Sequence, residues 1–117
     1  MSPEPERFRL LHVDDLEPVA CPCGLARRAF ASDPEAALSV HVVEIAAEAR
    51  AHFHKRLSEV YFVLEGTGEV ELDGRLFPVR PGSVVQIRPG CRHRAVGRLK
   101  IVNVVVPRFD PDDEWFD

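Results

Sequence analysis

Apolar residues in this chain recur with a period of two, in short runs cut by proline and glycine, and no sustained helical period accompanies them. LARRAF (residues 25–30), LSVHVVEI (38–45), EVEL (69–72), RLFPV (75–79), SVVQI (83–87) and LKIVNVVV (99–106) each read as a strand rich in β-branched or alternating apolar positions. FRLLHV (8–13) is a first-strand candidate or an arm laid on a partner subunit. Between the runs stand turn signals: Ser32 to Glu35 (SDPE), Gly66-Thr67-Gly68, Asp73-Gly74, Pro81-Gly82 and Pro89-Gly90. Pro78 inside its run points to an edge position or a strand end. Strands at this density predict an all-β fold, a jelly-roll barrel, whose interior is lined by alternate residues.

The stretch HFHKRLSEVYFVLEG, from His52 to Gly66, carries the candidate chemistry. In extended backbone His52 and His54 project to one side, with Phe53 opposite. Glu59, Tyr61 and Val63 share one face of the next run, and Val60, Phe62 and Leu64 the other. A hairpin at this point is expected to bring Glu59 back beside the two imidazoles. Two histidines and a carboxylate on one face are metal-ligand chemistry. GSVVQIRPGCRH, from Gly82, adds His93 as a fourth ligand.

These spacings resemble the two motifs of the cupins, small β-barrel proteins. The first motif is glycine, five residues, His-x-His, three or four residues, Glu, six residues, Gly. His52, His54, Glu59 and Gly66 match it, and Ala46 replaces the leading glycine. The second is Gly, five residues, Pro-x-Gly, two residues, His, three residues, Asn. Gly82, Gly90 and His93 match, with Arg88 at the proline position and Gly97 at the asparagine position. The resemblance implies a double-stranded β-helix of the jelly-roll type. It also implies one divalent transition metal on His52, His54, Glu59 and His93. Three imidazoles and a carboxylate suit Fe, Mn, Ni, Co, Cu or Zn alike. On a six-coordinate ion they leave two positions for water or substrate. Similar cupins are dioxygenases, isomerases and decarboxylases, so fold and ligand set together leave the reaction open. An oxygenase-type enzyme on a small polar or anionic molecule stands first and an isomerase or lyase second. The alternative is a non-catalytic small-ligand binder or sensor. The resemblance further makes residues 46–50, helical by composition, a loop into the His-x-His strand, and it implies a homodimer with residues 8–13 at or near the interface.

Other residues are weighed against simpler readings. Tyr61, on the Glu59 face, is the one general-base candidate the pattern offers, and a packed tyrosine explains it equally. Arg27 and Arg28 point to opposite faces, so at most one enters the barrel; there it would hold a substrate carboxylate or phosphate. Arg88 either reaches the barrel mouth, favouring an anionic substrate, or is a surface charge. Cys21 and Cys23 supply only two thiolates, and three cysteines make no disulfide framework, so reduced structural thiols are expected. The thiol of Cys91, two residues before His93, is a candidate neighbour of that imidazole. His12 and His41, as lone histidines, are left as packed or surface residues.

At 117 residues the chain is one domain: a frayed terminus over 1–7, a barrel over about 25–106 and a tail over 107–117. The tail is acidic yet holds Phe109, Trp115 and Phe116, and is expected to pack on the barrel or on a partner. Net charge is −4, with basic residues scattered among acidic ones, which gives no electrostatic footprint for nucleic acid. No apolar run spans a bilayer and no signal-peptide pattern opens the chain, so a cytoplasmic location without membrane contact is the expectation.

Overall fold

The computed structural model describes residues 6–21, 24–46 and 49–117. Cys23, residues 1–5 of the segment expected to fray, and Ala47 and Glu48 of the expected loop lie outside the described residues. Seven strands follow: β1 (Val19–Cys21), β2 (Gly24–Ala29), β3 (Ser39–Ile45), β4 (Ser58–Leu72), β5 (Arg75–Val79), β6 (Val84–Ile87) and β7 (His93–Val106). Short 3-10 turns occupy Val13–Asp15 and Pro111–Asp113. All pairings are antiparallel in the order β1-β2-β3-β7-β4-β5, with β6 also laid along β4. Among the described residues no helix is long and apolar enough to cross a membrane. The result is an all-β jelly-roll barrel.

Cross-strand register stacks the interior in rows. Ala26, Val43, Ile101 and Val63 face one another across β2, β3, β7 and β4, and all four are buried. With Ile45 and Leu99 they form the apolar floor of the barrel. Burying each larger aliphatic side chain contributes about 1.5–3 kcal/mol to holding these strands together. One row nearer the mouth, Arg28, His41, Asn103 and Tyr61 stand in register on the same four strands. The row beyond brings Ser39, Val105, Glu59 and Ile87 together. Chemistry-bearing residues thus occupy the wide end, and the apolar residues behind them hold their strands in place.

Three local expectations are corrected. Gly66-Thr67-Gly68 forms no turn; β4 runs unbroken for 15 residues, with a register irregularity between Val63 and Glu65. The glycines serve close approach instead. Gly66 takes φ +90°, where a Cβ would stand 2.0 Å from the Arg98 carbonyl oxygen, and a Cβ on Gly68 would meet that of Val96 at 2.2 Å. β7 correspondingly begins at His93 rather than at Leu99. Residues 8–13 form no strand: with no ladder to join, they run into the 3-10 turn, leaving Phe8 70% and Leu10 82% exposed. Pro78 sits in β5, which ends the sheet order, where its missing N–H costs no central ladder bond.

Candidate metal centre

His52, His54, Glu59 and His93 converge: one donor atom from each lies within 4.8 Å of the other three. The convergence does not come from a hairpin between the His-x-His segment and β4. His52 makes an isolated bridge to His93, exchanging both backbone hydrogen bonds (3.1 and 2.9 Å), and Phe53 bridges Trp115 in the tail. Glu59 arrives on β4 beside β7, two residues from Tyr61 on the same inner face. Three separate segments therefore build the cluster. Only their pairing to β7 and the tail fixes its geometry.

Each imidazole has a defined role for its two nitrogens. His54 Nδ1 donates to the Asp113 carbonyl oxygen at 2.7 Å, and His93 Nδ1 donates to the Cys91 carbonyl oxygen at 2.9 Å. A carbonyl only accepts, so Nδ1 carries a proton in both rings and Nε2 is the atom that faces inward, with a lone pair when the ring is neutral. His52 is reversed: Nδ1 is the buried atom, and Nε2 lies 3.8 Å from Glu114 Oε1. His54 Nε2 is 2.7 Å and His93 Nε2 3.6 Å from the two Glu59 oxygens.

His52 Nδ1 is buried without a polar partner, and the inward atoms of His54, Glu59 and His93 have only one another. Polar groups packed this closely in a folded interior, with no partners outside their own cluster, are costly, and a cation shared by all four satisfies them at once. A nitrogen-rich donor set with one carboxylate fits a divalent transition metal. The charges of the cluster act on its members in different directions. Burial, reinforced by the neighbouring His93 and His54, lowers the His52 pKa to about 4, so this ring is neutral and able to ligate. Burial alone would raise Glu59, but His54 and His93 outweigh it and hold the carboxyl well below the usual range. Burial likewise opposes protonation of His54, and Glu59 overrides it, raising that pKa.

Asp113, in the second 3-10 turn, is a site residue that the sequence did not reveal. Its buried carboxylate accepts the backbone N–H groups of Lys55 (3.0 Å), Arg56 (2.9 Å) and Leu57 (2.9 Å), and the Trp115 indole N–H (3.1 Å). Burial would raise its pKa, yet these donors hold it down to about 2. The tail thus clamps the loop carrying His54 through both the side chain and the carbonyl of one aspartate. Arg92 adds a paired contact to the Asp117 carboxylate (2.9 Å each) and lies 3.6 Å over the Phe53 ring.

A cavity of about 70 Å³ opens from the cluster, roughly five times what one water needs by the same measure. Its walls include Arg28, His41, Tyr61 and Asn103 from the polar row, together with Phe109 and Glu114 from the tail. The sequence-predicted candidates divide accordingly. Arg28 lines the cavity, whereas Arg27 Nε donates to the Leu16 carbonyl (3.3 Å) and Arg88 is exposed and no part of the lining. Tyr61 is buried in the wall, its ring 6.1 Å from that of His93. The Cys91 thiol does not reach His93; it lies 3.7 Å from the Arg92 carbonyl, and the backbone oxygen of Cys91 makes the contact instead. Cys21 is a half-buried thiol packed against the core. His41, set aside as a lone histidine, is buried in the cavity wall, with Nε2 2.9 Å from Ser39 Oγ. Only the register with Asn103 and Arg28 distinguishes it from a surface histidine.

Comparison with known proteins agrees with this architecture. The chain is 30% identical over 80 residues to an uncharacterised protein of Methanocaldococcus jannaschii, a match covering 65% of this chain and 64% of that protein's length. A crystal structure of a protein from Planctomyces limnophilus superposes with a TM-score of 0.88 at 41% identity, covering 93% of this chain and 96% of the other. The nucleoside dehydratase Pac13 of Streptomyces shares the fold with a TM-score of 0.78 at 19% identity, covering 94% of each chain. Residues 39–104, more than half of the chain and the span that holds all four converging ligand candidates, match the Cupin domain family, and the chain belongs to that family.

Proposed function

We propose that this protein is a mononuclear metal-dependent enzyme acting on a small polar molecule by proton-transfer chemistry, as an isomerase or lyase. The observation that carries the reading is the convergence of four donor side chains beside a cavity that also holds His41 and Tyr61. When bound to His52, His54, Glu59 and His93, a divalent ion supplies Lewis-acid polarisation of a substrate oxygen. The remaining work falls to the wall. Burial and the nearby Arg28 charge lower the His41 pKa to about 4, so the ring is neutral near pH 7 and able to exchange a hydrogen bond or proton with a substrate group. Ser39 Oγ fixes its orientation. Tyr61 presents a second protic group on the Glu59 face. A purely structural barrel gains nothing from this row, and titratable wall groups beside the ligand cluster favour catalysis over passive binding. On this reading isomerase or lyase chemistry stands ahead of the oxygenase chemistry expected first from the motifs.

The test is a screen of small hydroxy acids, keto acids and nucleosides under argon, with protein loaded with Zn(II) or Mn(II). Product is expected without dioxygen. Turnover that needs both Fe(II) and air would restore the oxygenase reading, and saturable binding without turnover would make the protein a ligand binder.

We also propose that the chain forms a homodimer. Phe8 and Leu10 on the N-terminal arm, and Val19 and Leu25 at the β1–β2 edge, leave four large apolar side chains exposed in one part of the chain. Light scattering at tens of micromolar is expected to give twice the chain mass, and a monomer would refute the assembly. The Phe8→Ser, Leu10→Ser double variant is expected to shift the equilibrium towards monomer.

A further inference from the structure

The polar row carries two features that the metal cluster does not account for. Arg28 places its guanidinium 4.5 Å over the Phe109 ring, its Nε is fully buried without a hydrogen bond, and no carboxylate among the described residues pairs with it. Asn103, two strands away in the same row and only 8% exposed, has an orphaned side-chain carbonyl oxygen. Both line the cavity that the metal cluster opens into. A half-buried guanidinium with a buried, unbonded Nε and a buried carbonyl acceptor without a donor are costly, unless a ligand completes them.

We propose that Arg28 and Asn103 form the recognition end of the cavity and that its ligand is a small hydroxylated carboxylic acid. The proposal rests on the enzymatic reading above and names its substrate class. The guanidinium offers a planar pair of N–H donors that matches a carboxylate, and the Phe109 ring holds that plane in place. The orphaned Asn103 oxygen accepts only, so its counterpart is a donor, which a substrate hydroxyl supplies. His41 stands between them on β3, in register with both, so a molecule bridging Arg28 and Asn103 lies across its ring. A carboxylate fits better than a phosphate. Arg94, the other cationic wall residue, donates to Glu71, which leaves one guanidinium charge for the ligand rather than two. The small cavity excludes polymers for the same reason that it suits a compact acid.

Calorimetry of the Zn(II)-loaded protein with glycerate, malate, tartrate and gluconate tests this, with succinate as the probe lacking a hydroxyl and malamide as the uncharged one. At least one hydroxy acid is expected to bind at least about tenfold more tightly than succinate or malamide. Arg28→Gln is expected to abolish that preference over malamide, and Arg28→Lys to recover it only in part, because lysine keeps the charge and loses the paired donors. Asn103→Ala is expected to bring the hydroxy acid down to the succinate level while carboxylate binding persists. Elemental analysis of the same samples separates the two readings. Metal-loaded protein that binds none of the four acids, or binds them unchanged in Arg28→Gln, overturns the inference and leaves the metal site standing. Arg28-dependent binding by a protein that takes up no metal upholds the recognition site and refutes the metal enzyme.

Discussion

Alanine in place of His54 is expected to leave the purified protein with little bound metal, whereas the unaltered chain carries about one transition-metal ion per chain. His54 is 3% exposed and contributes one of four converging donors, so its loss leaves three, with a gap beside the Glu59 carboxylate. Removing a hydrogen bond that merely supports a ligand costs about ten- to hundredfold in affinity, and losing the ligand itself is expected to exceed that. Elemental analysis after dialysis reads the result directly, with circular dichroism confirming the barrel. Glu59→Gln tests the carboxylate with almost no change in shape. Undiminished metal content in both variants would refute the centre. Binding is also expected to weaken as the pH falls, since imidazoles ligate only when neutral.

The second large effect is expected at Asp113. Alanine there strands three backbone N–H groups and the Trp115 indole N–H that one buried carboxylate now satisfies. Hydrogen bonds to a charged group and buried donors left unpaired each cost on the order of 1–3 kcal/mol, so a loss of about 3 kcal/mol or more is expected. In a domain of this size that lowers Tm by roughly 10–15 °C. The pH dependence has a definite sign. The folded carboxyl sits at about 2 against an ordinary 3.8, so its contribution is complete above about pH 4 and fades as the pH falls towards 2. Asp113→Asn is expected to lack that acid-sensitive increment. A thermal scan in which Asp113→Ala melts within a few degrees of the unaltered chain would show that the tail does not clamp the loop. Metal affinity is expected to fall as well, though less than in His54→Ala, because the carbonyl that orients His54 remains in the chain.

How much of this was legible in the sequence depends on the range of the interaction. The β runs, most turns and the four converging residues were readable, because strand alternation and ligand spacing are written within a few residues. Asp113 was not: its partners lie 56 to 58 residues away, and an aspartate in an acidic tail looks solvated. Gly66 and Gly68 misled for a related reason. Two glycines close together mark a turn locally, and only the approach of Arg98 and Val96 on the partner strand shows that they let a continuous ribbon bend.

The sequence by itself determined the all-β period, the family to which the chain belongs, and which four side chains are available to a metal. Tertiary structure decided which nitrogen of His54 and of His93 faces inward, through carbonyls of Asp113 and Cys91 that no spacing rule places. It also decided between the arginines. Alternation says only that Arg27 and Arg28 oppose each other; the register of β2 on β3, opposite His41, is what turns Arg28 into the cavity. The physical reason is common to both cases. Side-chain direction along one strand is a local property of the backbone, but which face becomes the inside is fixed by hydrogen bonds to strands far away in the chain.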